Sequence, residues 1–306
     1  MSRRDWIQFS VLSALWGASY LFIKVALEDV SPAMVVFVRT ALAALVLLPF
    51  ALRSGAFSGL RGRLWPVTVL AFVQIAAPFL LISAGEEHLS SSLTGILVAT
   101  SPIFTFLLAI KLDQDERVHG VGLFGVFLGI AGVVLLLGVD AGGGTAALVG
   151  GGMVILASLG YTLGAFYLKR RFTDVQPIGL VAASMVASAL MTMPLAAVTF
   201  PGEAPGLQAV GSLAGLGLLG TGLSFVLFYT LIARIGPGKA SLVAYISPGF
   251  AVIYGVVLLD EGFGPASFAG LLLIVGGSWL AAEGRLPFSE RRAARRRRRY
   301  PARAST

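Results

Sequence analysis

The stretch LFIKVALEDVSP at residues 21–32 returns as FYLKRRFTDVQP at residues 166–177. Both contain a lysine, an aspartate, a valine and a proline at the same spacing, and each residue of the second set lies 145 positions after its partner. The pairs at this offset are Lys24 and Lys169, Asp29 and Asp174, Val30 and Val175, Pro32 and Pro177, Pro49 and Pro194, Asp115 and Asp260, Glu116 and Glu261, and Gly125 and Gly270. With one residue of slippage, LVATSP at 97–102 also matches VAYISP at 243–248. A match of this extent predicts that one structural unit has been duplicated.

The composition indicates the solvent that surrounds this unit. Apolar residues make up 57% of the 306 residues and charged residues only 12%, and the mean hydropathy is +0.87. An ordinary soluble domain is about a quarter charged. A chain this apolar has too few polar groups to cover a water-facing surface, so hydrocarbon is the solvent that fits. We therefore expect an all-α integral membrane protein.

Apolar stretches long enough to cross a bilayer recur along the chain. A hydrocarbon core of about 30 Å needs about 20 helical residues. The first stretch could be mistaken for a cleaved or twin-arginine signal, but only more apolar stretches follow it, so we interpret it as a retained span. Because the connections are short, we expect no soluble domain. The ten predicted transmembrane helices lie near residues 6–26, 33–52, 65–84, 91–110, 120–139, 147–168, 177–199, 210–232, 238–259 and 265–282.

The distribution of Lys and Arg predicts the orientation. If the amino terminus is cytoplasmic, the cytoplasmic segments hold 21 of the 23 basic residues. The positive-inside rule then places both termini in the cytoplasm. We expect a multi-pass protein of a bacterial-type cell (inner) membrane. The opposite loops carry acids instead, namely Glu28, Asp29, Glu86, Glu87, Glu203, Asp260 and Glu261.

Nine arginines fall after residue 284. We expect residues 283–306 to form a disordered basic cytoplasmic tail. Beside a membrane, such a tail is interpreted as an orientation signal and as a contact for anionic lipid headgroups, in preference to a nucleic-acid site.

Each copy of the repeat holds five predicted spans. Because five is odd, the second copy must enter the membrane in the opposite orientation, as in transporters built from inverted repeats. We expect a first five-helix repeat at 6–139, a linker at 140–146 and a second repeat at 147–282. The linker belongs to the glycine-rich stretch GVDAGGGTAALVGGG at 138–152. A phosphate loop would need a lysine after the glycines and a strand before them, so a flexible linker is preferred.

Four stretches carry a resemblance to a known family. They are LWGASYLFIKVAL in the first span, FVRTALAALVLLP in the second, LVATSPIFTFLLA in the fourth, and AYISPGFAVIYGVVLLDEGFGPASFAGLLLIVGG near the end. From about residue 8 to residue 282 the chain resembles the EamA type of the drug/metabolite transporter superfamily. The resemblance implies a ten-helix inverted-repeat transporter whose relatives move amino acids, other metabolites or drugs, often outward. Ser184 stands at the position equivalent to Arg39, and Tyr161 at that of Trp16, so we expect an asymmetric pathway.

Arg39 is the only charged side chain well inside a predicted span, about 9 Å from the outer end of its helix. Placing an arginine there costs about 2.5–3.5 kcal/mol on insertion scales, and the spans offer no mid-membrane acid to pair with it. One interpretation is that Arg39 binds a carboxylate or other anionic part of a substrate. The alternative is that its side chain extends to the headgroups or to Glu28 and Asp29, or binds backbone carbonyls between helices.

Acidic residues bear on how transport would be driven. Proton-coupled carriers often use a buried Asp or Glu, whereas every acid here lies at a predicted span end or in a loop. Coupling to protons would use the boundary acids Glu86, Glu87, Asp260 or Glu261. The alternatives are that these acids are solvated helix-end charges and that the protein is an uncoupled facilitator.

Pro102 and Pro248 fall at matching positions in spans four and nine. Each removes a backbone hydrogen bond and frees the carbonyl four residues earlier, at Val98 and Ala244. Hydrocarbon cannot satisfy a free carbonyl, so such a break persists where a neighbouring helix or a wet cavity supplies a partner. We expect these prolines to mark hinges beside the pathway, with ordinary kinks as the alternative.

Polar and aromatic residues at helical spacing are candidates to line the pathway of a small-molecule substrate. Any one of them could instead serve in packing or in the interface belt. The candidates are Trp16 and Tyr20 in span one, Gln74 in span three, Thr94 and Ser101 in span four, Tyr161 and Thr162 in span six, Tyr229 in span eight and Tyr245 in span nine.

Glycines in spans five and ten predict close helix packing within the monomer, with a homodimer contact as the alternative. They are Gly125, Gly129, Gly132, Gly270, Gly276 and Gly277.

Taken together, these patterns favour a secondary transporter that exports a small metabolite by alternating access. A membrane-embedded enzyme, such as a lipid-modifying transferase, would need a cluster of His, Asp, Glu or Ser–His groups inside the spans, and the sequence offers none. The chain has no cysteine, and its two histidines, His88 and His119, lie in predicted loops, so we expect no metal and no cofactor. A passive channel stays open as an alternative.

Overall fold

The computed structural model describes residues 1–112, 120–140 and 144–283. Within these ranges every regular element is helical, as predicted, and ten helical spans follow one another. Their bounds are α1 Arg3–Ala26, α2 Pro32–Arg53, α3 Leu64–Glu86, α4 in two pieces at Ser91–Val98 and Ser101–Leu112, α5 Gly120–Leu135 with a wide final turn at Leu136–Asp140, α6 Thr145–Arg171, α7 Pro177–Val198, α8 Leu207–Ile235, α9 Val243–Leu258 and α10 Pro265–Glu283. The predictions for the basic tail from residue 284 onward, for residues 141–143 of the linker and for Asp115, Glu116 and His119 lie outside the described residues.

Nine helices in the described ranges are long and apolar enough to cross a membrane. The remaining helix, α9, has 16 residues and is only about 24 Å long at the usual helical rise. The prediction placed its start near residue 238. Gly236, with a φ of +83°, ends α8, the next residues form a separate turn at Pro237–Ala240, and α9 begins after it.

Serine side chains fix the start of three helices. Ser2, Ser31 and Ser90 each accept a hydrogen bond from a backbone N–H three residues later, at α1, α2 and α4 respectively. Each such cap stabilises its helix by about 1 kcal/mol.

The packing of α5 against α10 shows directly that the repeats are inverted. A Cβ on Gly125 would lie 2.6 Å from the carbonyl oxygen of Gly277, and a Cβ on Gly132 would lie 3.0 Å from the carbonyl oxygen of Gly270. Gly125 lies early in α5 and meets Gly277 late in α10, whereas Gly132 lies later in α5 and meets Gly270 early in α10. The two helices therefore run antiparallel. Gly125 and Gly270 are repeat equivalents, as are Gly132 and Gly277, so each contact is the counterpart of the other. The predicted close packing within the monomer is confirmed for these four glycines.

The helices α2 and α7 form a second antiparallel pair across the two halves. The hydroxyls of Ser31 and Thr199 are 2.7 Å apart at one end, and a Cβ on Gly179 would meet the backbone of Ala56 at the other. Around these two pairs, α1 packs on α8 and α9, just as its equivalent α6 packs on α3 and α4. The end of the bundle where α1 begins and α10 ends is called the terminal face below, and the other end the distal face.

Wide helical turns interrupt α3 and α8 at equivalent places. Residues Phe72–Ala76 of α3 and Gly215–Leu223 of α8 adopt the π-helical pattern, with hydrogen bonds across five residues. Such turns are frequent at functional sites because they re-aim side chains. The turn in α8 carries Thr221, which becomes part of the site described next.

Candidate functional site

Arg39 projects from the distal half of α2 into the bundle and is only 8% exposed. Its Nε–H donates to Oγ1 of Thr221 in α8 at 2.8 Å, and its guanidinium carbon lies 3.6 Å from the ring centroid of Phe79 in α3. A cation over an aromatic ring is stabilised by about 0.5–2 kcal/mol, the more so when water is excluded. Both contacts hold the guanidinium inside the bundle. The side chain therefore does not extend toward Glu28 and Asp29.

The wide turn of α8 places the acceptor for Arg39. The Thr221 hydroxyl donates its own proton to the carbonyl oxygen of Leu216, five residues earlier, at 2.9 Å, which leaves an oxygen lone pair for Arg39. A Cβ on Gly217 would lie 2.6 Å from the Cβ of Leu42. The glycine thus lets α8 approach α2 closely enough for the hydrogen bond.

Tyrosines surround the arginine from two other helices. Tyr20 of α1 and Tyr161 of α6 are electrostatic neighbours of the Arg39 guanidinium. The Tyr161 ring meets Phe79 edge to face, with 6.5 Å between ring centroids, and the Tyr20 ring packs on Gly95 of α4. The structure thus brings together three predicted pathway residues, Tyr20, Arg39 and Tyr161. Phe79 and Thr221 were not predicted.

The helical pattern of α4 is interrupted by a turn at residues 99–100, just before Ser101 and Pro102. Hydroxyl groups from α6 and α10 donate to carbonyl oxygens around this break, which hydrocarbon could not satisfy. The bonds run from Ser158 Oγ to Val98 O at 3.3 Å, from Thr162 Oγ1 to Ser101 O at 3.1 Å and from Ser278 Oγ to Ala99 O at 2.6 Å. The carbonyl oxygen of Val98 also accepts a hydrogen bond from Ser101 Oγ of its own helix at 2.9 Å.

Pro248 differs from its counterpart because it lies inside the continuous helix α9. Gly17 of α1 occupies the position equivalent to Thr162. A Cβ there would lie 2.8 Å from the carbonyl oxygen of Ser247. Beside Pro248, α1 therefore meets α9 through close backbone packing at Gly17. At the equivalent place beside Pro102, α6 meets α4 through the hydrogen bond from Thr162.

Trp16, Tyr229 and Tyr245 lie closer to the terminal face. The Trp16 ring packs against Phe228 with centroids 5.1 Å apart, and Phe228 in turn lies 5.9 Å from Tyr229. Tyr245 is half-buried in the first turn of α9. The ring contact of Trp16 with Phe228 joins α1 to α8.

Gln74 and Thr94 are held by neighbours close to them. Gln74 lies in the wide turn of α3, where its side chain packs on Gly164 of α6. Thr94 is buried, and its hydroxyl donates to the carbonyl oxygen of Ser90 in its own helix at 3.0 Å.

The boundary acids have three different environments. Glu87 and Asp260 are exposed. The carboxylate of Glu261 accepts hydrogen bonds from the backbone N–H groups of Ser91 at 2.6 Å and Ser92 at 3.0 Å. An acid at a helix amino terminus is favoured by the helix dipole, so Glu261 caps α4.

Glu86 contradicts the expectation of a solvated helix-end charge. Its side chain is fully buried, and neither carboxylate oxygen has a hydrogen-bond partner among the described residues. Lys24 covers this end of α3, donating from Nζ to the backbone carbonyls of Glu86 at 2.7 Å and Leu89 at 2.8 Å. The sequence carried no signal for this burial, since it arises where α1 and the α3–α4 connection meet.

A cavity of about 340 Å³ opens between α2, α3, α6 and α7 near the distal face. Its lining is almost entirely apolar, so it lacks the polar groups that orient a charged ligand. In the described part of the chain, no group of three or more His, Cys, Asp or Glu is placed to hold a metal ion. The polar cluster around Arg39 is therefore the best candidate site.

Comparisons with known proteins place this geometry in context. Residues 5–138 and 148–282 both match the sequence model of the EamA-like transporter family. An uncharacterized inner membrane transporter of Escherichia coli K12, YedA, is 27% identical over 289 residues, covering 90% of each chain. A probable amino-acid metabolite efflux pump of the same organism is 24% identical over 299 residues, covering 93% of this chain and 96% of its own. A solved crystal structure superposes with a TM-score of 0.68 over 96% of this chain and 99% of the other, at 20% identity, a likeness that shows the fold alone.

Proposed function

Because the chain belongs to the EamA-like transporter family, we propose that this membrane protein carries a small metabolite bearing a carboxylate, such as an amino acid or a related compound. The proposal includes export as the direction and alternating access as the mechanism. The similar efflux pump, whose name gives amino-acid metabolites as its cargo, supports this class of substrate.

The buried environment of the Arg39 guanidinium is the single observation on which the proposed substrate class rests. Its Nε–H is satisfied by Thr221 and one ring face supports the guanidinium. A guanidinium has five N–H donors in a planar fork that matches a carboxylate. Tyr20 and Tyr161 are electrostatic neighbours of the guanidinium, and their hydroxyls and rings suit a small polar molecule with an apolar part.

The inverted repeats support alternating access. Antiparallel α5 and α10, and likewise α2 and α7, form fixed pairs across the two halves. The remaining helices are arranged twice, once in each direction, so the pathway to either face is built from equivalent parts.

We propose that the terminal face lies in the cytoplasm. Arg3, Arg53, Arg63 and the run Lys169–Arg171 all lie at that face, as the positive-inside rule requires of a cytoplasmic surface. The basic tail would then lie beside anionic lipids of the inner leaflet.

Proteoliposomes containing the purified chain test this function. A panel of radiolabelled L-amino acids is offered outside vesicles loaded with the same unlabelled compound. We expect saturable counterflow for at least one member, whereas unsaturated conductance would indicate a channel and no movement would remove amino acids as the substrate class.

Arginine variants then test the site. Arg39→Ala removes a charged hydrogen-bond donor and should lower counterflow about tenfold or more. Arg53→Ala is the matched control, since Arg53 lies exposed at the end of the same helix. Equal counterflow in the two variants would remove Arg39 from the binding site.

A further inference from the structure

Glu86 has the properties of a group that exchanges a proton with its surroundings. It is the last residue of α3 and is fully buried, and neither carboxylate oxygen has a hydrogen-bond partner in the described chain. A buried carboxylate is normally paired or hydrogen-bonded, because an isolated charge in an apolar environment is costly. Neither the capping role of Glu261 nor the binding role of Arg39 uses this carboxyl group.

Charged and titratable groups reach Glu86 from several elements. Lys24 and Tyr20 come from α1, Arg39 comes from α2, and Glu261 comes from the α9–α10 connection. From α4 the nearest groups are neutral hydroxyls, and the part of α6 that packs here has glycines and apolar side chains. The two cations favour the ionised form of Glu86, whereas burial and Glu261 favour the protonated form. Because Lys24 and Arg39 act against burial and Glu261, loss of one of these positive charges favours the protonated acid.

Glu86 also lies on the face of α3 that holds the candidate substrate site. Phe79, Ser83 and Glu86 are spaced by four and three residues and therefore share one side of the helix. Phe79 supports the Arg39 guanidinium, and Ser83 is buried with a hydroxyl oxygen that has no partner among the described residues. Glu86 is two turns nearer the distal face, about 10 Å along the helix axis.

We propose that Glu86 is the proton-binding site of the transporter and that its proton moves in the same direction as a carboxylate-bearing substrate. The inference rests on the proposed function for its transport part. When a substrate carboxylate neutralises Arg39, the positive field on Glu86 weakens and the carboxylate takes up one proton to become a carboxylic acid. By linkage, a protonated Glu86 binds the substrate more tightly in return. Proton and substrate therefore enter and leave together, and an accumulated metabolite carries protons outward with it.

The proton site can be tested without a substrate. Infrared spectra of the purified full chain in detergent are recorded during a pH titration. We expect a band of a protonated carboxyl group that is present in the wild type and in Glu87→Gln, shifted in Glu86→Asp and missing in Glu86→Gln. Glu87 is the matched control because it is adjacent and exposed. A band that persists in Glu86→Gln, with an unchanged elution profile on gel filtration, would overturn the assignment.

The coupling is tested in proteoliposomes with the amino acid that gives the strongest counterflow. A pH dye inside the vesicles should report acidification as the wild type imports the amino acid. Glu86→Gln should keep counterflow but lose this acidification, as well as the dependence of substrate affinity on pH, which we expect to be about fivefold or more in the wild type. Flux without proton movement, or with protons moving the opposite way, would overturn the inference while leaving the transport function in place. If no amino acid moves, the proposed function fails and the infrared band alone decides whether Glu86 binds a proton.

Discussion

The carboxylate of Glu261 accepts a hydrogen bond from the hydroxyl of Ser92 at 2.5 Å, together with the backbone N–H groups of Ser91 and Ser92. Glu261 belongs to the second half of the chain and Ser92 to the first. These hydrogen bonds hold the α9–α10 connection against the start of α4 at the distal face. Beside it, Lys24 fastens α1 to the α3–α4 connection through two carbonyl oxygens. These two sets of hydrogen bonds therefore hold the chain segments at the distal face together.

Removing the Glu261 carboxylate should loosen the contact between the α9–α10 connection and α4. Hydrogen bonds to a charged group contribute about 1.5–3 kcal/mol each, so Glu261→Ala should expose the start of α4 about tenfold more often. Because the chain contains no cysteine, Ser91→Cys introduces the only thiol at a position that is 0% exposed. We expect faster labelling by a membrane-impermeant maleimide when Glu261→Ala is added. Glu87→Cys, at an exposed position, should react equally in both backgrounds, and unchanged labelling of Ser91→Cys would show that Glu261 does not hold the start of α4 in place.

Gly255 makes room for the same contact. A Cβ at this position would collide with both the Glu261 carboxylate and the Ser92 hydroxyl. Gly255→Ala should therefore destabilise the protein by about 1–3 kcal/mol through overpacking. Gly249→Ala is the matched control in the same helix, because a Cβ there meets open space and alanine favours the helix by about 1 kcal/mol. Thermal unfolding in detergent measures both, and equal midpoints would argue against the crowding.

Thr221 is expected to stabilise the buried arginine. Thr221→Val keeps the shape but removes the acceptor for the Arg39 Nε–H, and an unsatisfied buried donor costs about 1–3 kcal/mol. We expect a lower unfolding temperature and weaker counterflow. Thr230→Val in the same helix removes an exposed hydroxyl that bonds only to Val226 of its own helix, so it should have little effect. A Thr221→Val protein as stable as Thr230→Val would show that Arg39 does not depend on this bond.

The two halves are also linked at the terminal face by an ion pair with a defined pH dependence. Two N–H groups of Arg63 donate to the Asp174 carboxylate at 2.8 and 2.6 Å, and these bonds hold the pKa of Asp174 below its ordinary value of 3.8. The stabilisation is present in full above pH 3.8 and is lost as the pH falls through the lowered value in the folded protein.

The unfolding temperature of the wild type should therefore exceed that of Asp174→Asn at pH 7, and the difference should shrink steadily below pH 3.8. The effect should be small, since exposed pairs contribute little. Scanning fluorimetry over a pH series measures it, with Glu203→Gln, another exposed loop acid, as the control. A difference that is independent of pH would mean that the ion pair is not its source.

The helices and their inversion could be predicted because they depend on local pattern and counting. Apolar length gave all ten spans, and an odd number of spans per repeat gave the inversion that Gly125 and Gly277 display. Tyr20, Arg39 and Tyr161 could be proposed as pathway residues because each is a polar or aromatic side chain within a predicted span, but their nearness to one another was not predicted. The start of α9 was predicted too early, because the separate helical turn at Pro237–Ala240 was counted as part of the helix that follows it.

The environment of the site depends on packing between distant parts of the chain, which local pattern does not record. Thr221 meets Arg39 only because the wide turn of α8 rotates it inward. Phe79 is one of 20 phenylalanines, and nothing in its surroundings in sequence marks it as the partner of a cation. Glu86 is followed by Glu87 and His88, a polar context typical of a solvated loop, yet the structure buries the first and exposes the other two.

The reciprocal contacts of Gly125 with Gly277 and of Gly132 with Gly270 form a self-complementary seam. Two separate copies of a single five-helix polypeptide could associate through such a surface only if one copy were inserted upside down relative to the other. When the two copies are joined in one chain, a single polypeptide no longer has to insert in both orientations. The sequence of each half can then change independently of the other. The halves differ in this way at Arg39 and its equivalent Ser184, so only one half carries the cost of a buried charge at this position.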